Sequence, residues 1–192
     1  MPPGTSEAGR RLLLRRLYAK YETDTAFARV RSESGGVLVP GDGPMTPRLM
    51  FIGEAPGARE AKLRKPFVGA SGNFLNEMLA SVGIDRSEVF ITNVVKYRPR
   101  DNRDPENHEV YAGIPYLRKE HALLGSPPMV VLGRHAKNTL GGEMAGWPIG
   151  KWFWFGRTPV LPLHHPAYGL YQSRNRPMMF EQFKAVLEVP VG

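Results

Sequence analysis

The sequence contains no cysteine among its 192 residues. Disulfide bonds, thiol nucleophiles, Cys-ligated zinc sites and iron–sulfur clusters all depend on cysteine, so this absence excludes each of them. No apolar run approaches the roughly 20 residues that a membrane-spanning helix needs. The three leucines at 12–14 lie inside an arginine cluster, unlike the apolar core of a secretion signal. We therefore expect a cytoplasmic protein with no membrane segment.

Acidic residues are outnumbered, with 18 Asp and Glu against 26 Lys and Arg, which leaves a net charge of +8. A strongly basic chain favours an anionic partner, and nucleic acid is the first candidate. Hydrophobic residues make up 42 % of the chain, enough for a core, and one domain is the default at this length. We expect a monomer with a single domain over residues 1–192, in which an N-terminal helix and loop (1–48) pack on the rest.

Short apolar runs alternate with segments of helical periodicity, which is typical of an α/β domain with a mainly parallel sheet. The predicted strands are residues 49–52, 89–91, 129–132 and 160–163, and the predicted helices are about 7–31, 74–82, 106–123, 134–140 and 177–188. Pro115 predicts a kink or a late start for the third of these helices. The predicted fold is a three-layer α/β/α arrangement around a mainly parallel, four-stranded sheet, with the aromatic segment 152–155 as a possible minor strand.

Ligands of such sheets bind outside the carboxyl ends of the strands. The segments that follow the predicted strands should therefore meet in one crevice. They are residues 53–57, 93–98, 133–137 and 164–168. Two basic clusters, at 59–65 and 96–103, would border that crevice, although either cluster alone could be a solvated loop.

Side chains in and between these segments suit recognition of a planar base. Phe67 stands between a proline and a Gly-Ala-Ser-Gly turn, where its ring could form a stacking wall rather than part of the core. The Asn93 amide pairs a donor with an acceptor, as the O4 and N3–H edge of uracil requires, although Asn can also simply end a strand. His164 and His165 should point opposite ways on an extended chain, so at most one faces the crevice.

Taken together and in this order, these motifs resemble the uracil-DNA glycosylase superfamily over about residues 49–188. The closest match is its family 4 (iron–sulfur) branch. The motifs that carry the resemblance are MFIGEAPG at 50–57, KPFVG at 65–69, ITNVVK at 91–96, Arg98-Pro99 with Asn102-Arg103 and Pro105, and HPA at 165–167. The resemblance implies a DNA repair enzyme that flips uracil out of DNA and hydrolyses its N-glycosidic bond, leaving an abasic site.

The resemblance also implies roles for individual residues. Glu54 would activate the attacking water, and His165 would stabilise the leaving base. The implied base-binding residues are Gly53, Ala55, Glu60, Phe67 and Asn93, with Phe67 stacking on uracil, Asn93 reading its edge and Glu60 excluding thymine. The implied DNA-binding residues are Arg64, Lys65, Lys96, Arg100, Arg103, Leu170, Tyr171 and Arg174, and the 168–171 segment would wedge into the duplex.

The chain departs from the resembled branch in ways that keep other functions open. The four cluster cysteines of that branch, two within 19–43 and two near Tyr97 and Gly113, are all absent, so we expect no cofactor and no metal. Packing, including that of Tyr97 and Tyr116, would replace the cluster. Ala61 stands where the family has a second acid. The alternatives are excision of another deaminated base, such as hypoxanthine or xanthine, and a catalytically inactive DNA-binding relative.

Overall fold

Five strands form the central sheet of the computed structural model, which describes residues 6–133, 136 and 146–190. The strands are β1 (Leu49–Gly53), β2 (Val89–Asn93), β3 (Met129–Leu132), β4 (Phe153–Phe155) and β5 (Thr158–Leu163). Their order is β2-β1-β3-β5-β4, and every neighbouring pair is parallel except β4–β5. The predicted mainly parallel sheet is confirmed, but it has five strands rather than four.

The fifth strand, β4, forms a short antiparallel hairpin with β5 at the edge of the sheet. Gly156 adopts a φ of 60° in the turn, a conformation that favours glycine. β4 has only three residues, and the Trp154 ring is exposed. This strand confirms the minor strand that the aromatic segment 152–155 suggested, and it is the fifth strand of the sheet.

Seven α-helices surround the sheet in the described part of the chain. They are α1 (Glu7–Thr23), α2 (Ala28–Glu33), α3 (Ala58–Leu63), α4 (Ala70–Ser81), α5 (Asn107–Leu123), α6 (Ala167–Tyr171) and α7 (Arg176–Phe183). Short 3-10 turns occupy 25–27, 86–88, 100–102, 173–175 and 184–187. The helix predicted at 134–140 lies outside the described residues, apart from Ala136.

Several predicted boundaries were wrong. The helix predicted over 7–31 is broken at Asp24, whose carboxylate accepts the N–H of Ala26 at 2.9 Å and starts a new turn. The short helix α3 lies between the predicted strand at 49–52 and the predicted helix at 74–82, where no helix was expected, and the predicted wedge segment at 168–171 lies within α6. α5 begins at Asn107 and continues through Pro115, so the alternative of a late start was also wrong.

The two faces of the sheet carry separate cores, which confirms the three-layer arrangement. Side chains alternate along each strand, so Met50 and Ile52 face one layer while Leu49 and Phe51 face the other. The first layer contains α1, α2 and α5, and the second contains α4 and α7. Both faces of the parallel strands are therefore buried. The carboxyl ends of the strands are left accessible to a ligand.

Candidate active site

A pocket of about 500 Å³ opens at the carboxyl ends of the strands. It is lined by Gly57, Glu60, Phe67, Gly69, Ala70, Ser71, Asn93, Asn102, His165, Ala167, Leu170 and Tyr171. Six of these are predicted site residues that the structure brings together from four parts of the chain. This volume lies within the range of small-molecule sites in proteins.

Gly53, at the end of β1, allows two pocket side chains to approach the backbone closely. A Cβ atom at this position would lie 2.5 Å from Asn93 Oδ1 and 2.7 Å from the Phe67 ring. Such distances are well inside van der Waals contact, so any side chain at 53 would displace the amide or the ring. Gly53 thus contributes the space that the Asn93 and Phe67 side chains occupy.

The Phe67 ring is buried and is held by an unusual backbone conformation. Its φ is 52°, in the left-handed region that bulky residues rarely adopt. Gly72 packs directly against the Phe67 carbonyl, where a Cβ would lie 1.9 Å from the oxygen. On the preceding residue, the Pro66 carbonyl accepts from Arg86 Nη2 at 2.7 Å. Surrounding contacts therefore hold Phe67 in a conformation that it would not favour alone.

Glu60 anchors the segment that follows Phe67. Its Oε1 atom accepts the backbone N–H groups of Val68 at 2.9 Å and of Gly69 at 2.6 Å. The carboxylate lines the pocket as well, so one side chain both shapes the loop and adds negative charge to the site.

Asn93 is the last residue of β2 and is only 2 % exposed. It pairs in register with Gly53 on β1, and its side chain lines the pocket. The Val94 N–H donates to the Gly53 carbonyl at 3.0 Å, which fixes the peptide that follows Asn93. The amide therefore reaches the pocket from a rigid strand end.

His165 presents one defined tautomer to the pocket. Its Nδ1 accepts the N–H of Ala167 at 3.1 Å, which requires that the proton of a neutral ring sit on Nε2. Burial lowers the pKa of His165 from 6.5 to about 4, a shift that the negative charge of Glu60 only partly opposes. The ring is thus neutral at pH 7, with its Nε2–H as a hydrogen-bond donor, and its centroid lies 5.7 Å from that of Phe67.

His164 faces away from this pocket, as the extended chain predicted. Its ring stacks on Tyr168 with centroids 4.8 Å apart, and it borders a separate small cavity beside Met179. Only one of the two adjacent histidines therefore lines the candidate site.

Glu54 and Ala55 follow Gly53 but do not line the pocket. Glu54 is half-buried, and its backbone carbonyl accepts the Val95 N–H at 2.9 Å. Ala55 packs against the core beneath the opposite face of the sheet. The contact of Ala55 with a base therefore stays a prediction, and its backbone rather than its side chain would have to make it.

Two predicted DNA-binding residues have internal partners instead. The side chains of Lys96 and Glu120 are 1 % and 0 % exposed, and Lys96 Nζ lies 2.9 Å from Glu120 Oε2. Arg103 Nη2 lies 2.8 Å from carboxylate oxygens of both Glu33 and Glu109. The prediction for Lys96 is wrong because a buried ammonium cannot reach a phosphate, and Arg103 joins α2 to α5.

The other predicted DNA contacts are on the surface. Arg64, Lys65, Arg100 and Arg174 are exposed, and Lys65 lies 3.7 Å from Asp42 in a surface ion pair. Leu170 and Tyr171 lie at the rim of the pocket, and the Tyr171 side chain is 88 % exposed. A large exposed aromatic ring at the rim of a pocket is well placed to contact a second molecule.

Sequence reasoning missed Asn102 as a lining residue, although it belongs to one of the quoted motifs. Its φ of 54° is one that Asn adopts more readily than most residues, and its Oδ1 accepts Arg98 Nε at 2.9 Å. The Asp-Asn pair at 101–102 in a loop was the available signal. None of the small lining residues was singled out in the sequence, because they carry no chemical signature; they are Gly57, Gly69, Ala70, Ser71 and Ala167.

The sequence profile of the uracil DNA glycosylase superfamily matches residues 40–188, more than three-quarters of the chain. The chain belongs to this superfamily. The pocket therefore lies within the region that the uracil DNA glycosylase profile covers.

Curated relatives of this superfamily carry a more specific name. A "Type-4 uracil-DNA glycosylase" of Sulfurisphaera tokodaii is 39 % identical over 164 residues, which cover 80 % of this chain and 74 % of that protein. One from Saccharolobus solfataricus is 40 % identical over 161 residues, 78 % of this chain and 74 % of that protein. One from Archaeoglobus fulgidus is 37 % identical over 161 residues, 79 % of this chain and 81 % of that protein.

An iron–sulfur cluster of the kind expected for the type-4 branch does not fit this chain. With no cysteine in the sequence, no thiolate is available. Near the predicted cysteine positions, the Tyr97 side chain is fully buried, and a Cβ at Gly113 would lie 2.6 Å from the Val94 carbonyl. Within the described residues, no group of three or more His, Asp or Glu side chains could hold a metal ion, and no helix is long and apolar enough to span a membrane.

Proposed function

We propose that this protein hydrolyses the N-glycosidic bond of uracil in DNA and releases free uracil and an abasic site. One observation carries the proposal: the Asn93 amide and the neutral, Nε2-protonated His165 face the same pocket, beside the Phe67 ring. The membership of the superfamily and the type-4 relatives support the same chemistry.

The substrate must reach the pocket as an extruded nucleotide, because the base is inaccessible inside a duplex. Extrusion costs a few kcal/mol, which phosphate contacts and the pocket itself must offset. Arg64, Lys65, Arg100 and Arg174 are the exposed cations proposed to contact phosphates. Leu170 and Tyr171, at the rim, are proposed to fill the gap left in the duplex.

The pocket then distinguishes uracil by shape and by hydrogen bonds. Phe67 offers a buried aromatic face on which a planar base can stack. The Asn93 amide donates to uracil O4 and accepts from N3–H, a pattern that cytosine presents in reverse. Glu60, which holds the loop after Phe67, is proposed to border the base at the C5 edge and so to exclude the thymine methyl group.

Bond cleavage builds positive charge on the sugar and negative charge on uracil O2. The His165 Nε2–H is proposed to donate to O2, which stabilises the leaving base without a proton transfer. Nearby DNA phosphates favour the developing cation. Glu54, next to Gly53 at the end of β1, is proposed to orient the water that attacks C1′.

No step of this reaction needs a metal or cofactor, and we propose that the enzyme uses none. We also propose that it acts as a monomer on uracil-containing DNA. Its cytoplasmic location remains a prediction from composition.

The proposal is tested by an alkali nicking assay on oligonucleotides that contain uracil, hypoxanthine, xanthine or thymine. Each is assayed as a single strand and opposite every base. Excision of uracil well above that of the other bases is expected. Preferential excision of a purine would replace uracil as the substrate, and binding without excision of any base would identify a DNA-binding relative.

Asn93→Asp tests the site within the same assay. The new carboxylate would repel uracil O4 and leave it without a donor, so single-turnover excision of uracil should fall by orders of magnitude. The same carboxylate could accept from the 4-amino group of cytosine, and weak cytosine excision is a possible gain. Phe67→Ala is the comparison: it should slow excision without changing base choice, because stacking tolerates any base. Near-normal uracil excision by Asn93→Asp would show that Asn93 only ends a strand.

A further inference from the structure

The ammonium of Lys96 lies directly behind Asn93, on the side of β2 that faces α5. Its three protons match three acceptors: Thr92 Oγ1 at 2.7 Å, the Asn93 carbonyl at 3.0 Å and Glu120 Oε2 at 2.9 Å. Removing both charges of such a pair from water is costly, and good geometry at every donor is what compensates the cost. A lysine in a solvated surface loop would not need three protein acceptors, because water would satisfy its ammonium.

The bond from Lys96 to Asn93 replaces a bond that the sheet does not supply. β2 ends at Asn93, so its carbonyl lies just beyond the ladder with β1. The same peptide unit donates its N–H, from Val94, to the Gly53 carbonyl at 3.0 Å. Both ends of the peptide after Asn93 are therefore held, one by β1 and one by the Lys96 ammonium.

The N-terminal helix α1 completes this buried network. Tyr18, buried against Glu120, donates its hydroxyl to Glu120 Oε1, and burial raises its pKa well above the usual value, so that it stays protonated. One turn further on, the Tyr21 hydroxyl accepts the backbone N–H of Lys96 at 2.9 Å. The Thr92 hydroxyl lies 3.2 Å from both Glu120 oxygens.

We propose that Lys96, held by Glu120, is a positioning residue that fixes the Asn93 peptide and so aims the Asn93 amide at the uracil edge. The inference rests on the proposed function, because it assigns its effect to recognition by Asn93. It also explains why a lysine that binds no DNA occupies this place in the chain.

The lack of cysteine permits a direct rescue experiment. Lys96→Cys introduces the only thiol of the chain, which can be alkylated with 2-bromoethylamine in denaturant and refolded, restoring an ammonium at nearly the same distance. Displacing a reacting group by about 1 Å can cost about 100-fold in rate. We expect Lys96→Cys to lose roughly ten- to a hundredfold in single-turnover uracil excision, and the aminoethylated protein to recover most of it. Wild type taken through the same treatment controls for refolding.

A matched pair of variants separates positioning from general stability. Glu120 and Glu109 both lie on α5, are both fully buried and are both paired with a cation. Glu120→Gln should slow uracil excision at temperatures where it is fully folded, whereas Glu109→Gln should lower the Tm and leave the rate of the folded protein unchanged. This pair supplies the same comparison if Lys96→Cys does not refold.

A readout without substrate keeps the two proposals distinguishable. The Asn93 side-chain amide signals in the NMR spectrum of the free protein should shift or broaden in Lys96→Cys and Glu120→Gln, but not in Glu109→Gln. Unchanged Asn93 signals, or a normal excision rate in folded Lys96→Cys, would overturn the positioning role. A wild-type protein that excises no uracil would instead overturn the proposed function and leave the NMR test standing.

Discussion

At the scale of single residues, Gly53 occupies a position where the pocket leaves no room for a side chain. Gly53→Ala would add a Cβ atom 2.5 Å from Asn93 Oδ1 and 2.7 Å from the Phe67 ring, so one of these side chains must move. Uracil excision by the folded variant should fall by about 100-fold, the cost of a misplacement of about 1 Å. Gly146→Ala is the control, since no atom of the residues that the structure describes lies within 4 Å of its added Cβ. Equal single-turnover rates for the two variants would contradict this account of the pocket.

The ionisation of His165 predicts how stability depends on pH. Burial lowers its folded pKa to about 4, below the ordinary 6.5, so between these values the unfolded chain binds more protons. The contribution of His165 to stability is therefore fully present above about pH 6.5 and is lost as the pH falls towards 4. His121 and His164 also have pKa values lowered by burial, so wild type must be compared with His165→Gln.

Chemical denaturation across this pH range provides the measurement. The free energy of unfolding of wild type should fall more steeply on acidification than that of His165→Gln. The rate of uracil excision by wild type should show no inflection near pH 6.5 from this group. Parallel stability curves for the two proteins would show that His165 is not held neutral by the fold.

Chemistry-bearing side chains after strands were predictable, and internal ion pairs were not. Asn93 and His165 stand at or directly after apolar runs, where parallel strands place ligand contacts, and Phe67 was predicted from the proline and the turn beside it. Lys96 also follows such a run, but its place in the basic cluster at 96–103 led to the wrong prediction that it lies on the surface. The missing signal was on α5, where Glu120 occupies the buried stripe of the helix and thus requires a buried cation.

At the scale of elements, Arg103 joins α2 and α5 and is expected to act through stability rather than DNA binding. The hydrogen bonds that Arg103 donates to the Glu109 carboxylate raise the pKa of Arg103, which stays charged. Arg103→Met would leave Glu109 buried without its cation and should lower the free energy of unfolding by about 3 kcal/mol, as for other broken buried pairs. Arg100→Met, at an exposed site, should cost no more than about 0.5 kcal/mol.

DNA binding should respond to these two variants in the opposite order. Arg100→Met is expected to reduce the slope of log affinity against log salt by about one unit, whereas Arg103→Met leaves the slope of the folded protein unchanged. Fluorescence anisotropy over a salt series measures both slopes. A reduced slope for Arg103→Met alone would restore Arg103 to the DNA interface.

Element types were more predictable than element ends. The periodicity of 106–123 predicted α5 to within a residue at its start, because its buried stripe is long. The helix predicted over 7–31 failed at Asp24, where a side-chain cap competes with a continuing helix and hydrophobic spacing carries no trace of it. The aromatic segment 152–155 predicted the minor strand β4, but the sequence did not show that it pairs with β5, because that pairing depends on a hairpin turn.

At the scale of the whole molecule, aromatic packing ties the N-terminal region to the rest of the fold. The Tyr21 and Phe27 rings stack with centroids 3.9 Å apart, and Tyr116 meets Tyr21 edge-on at 4.8 Å. The Tyr116 hydroxyl donates to Asp24 at 2.8 Å, and Tyr97 packs 5.7 Å from Tyr21. That residues 1–192 form a single domain remains a prediction, although these contacts favour it.

This packing occupies the region where the type-4 branch was expected to carry its cluster, and it predicts an enzyme that works without iron. The purified protein should be colourless, contain no stoichiometric iron and excise uracil at the same rate before and after dialysis against a chelator. The reason is chemical, since no thiolate is available to any iron ion. Tyr21→Ala should instead lower the Tm sharply, because it removes the ring at the centre of the aromatic packing and leaves the Lys96 N–H without its acceptor. Iron that co-purifies in a fixed ratio, or activity lost to the chelator and restored by iron, would show that another group of ligands holds the metal.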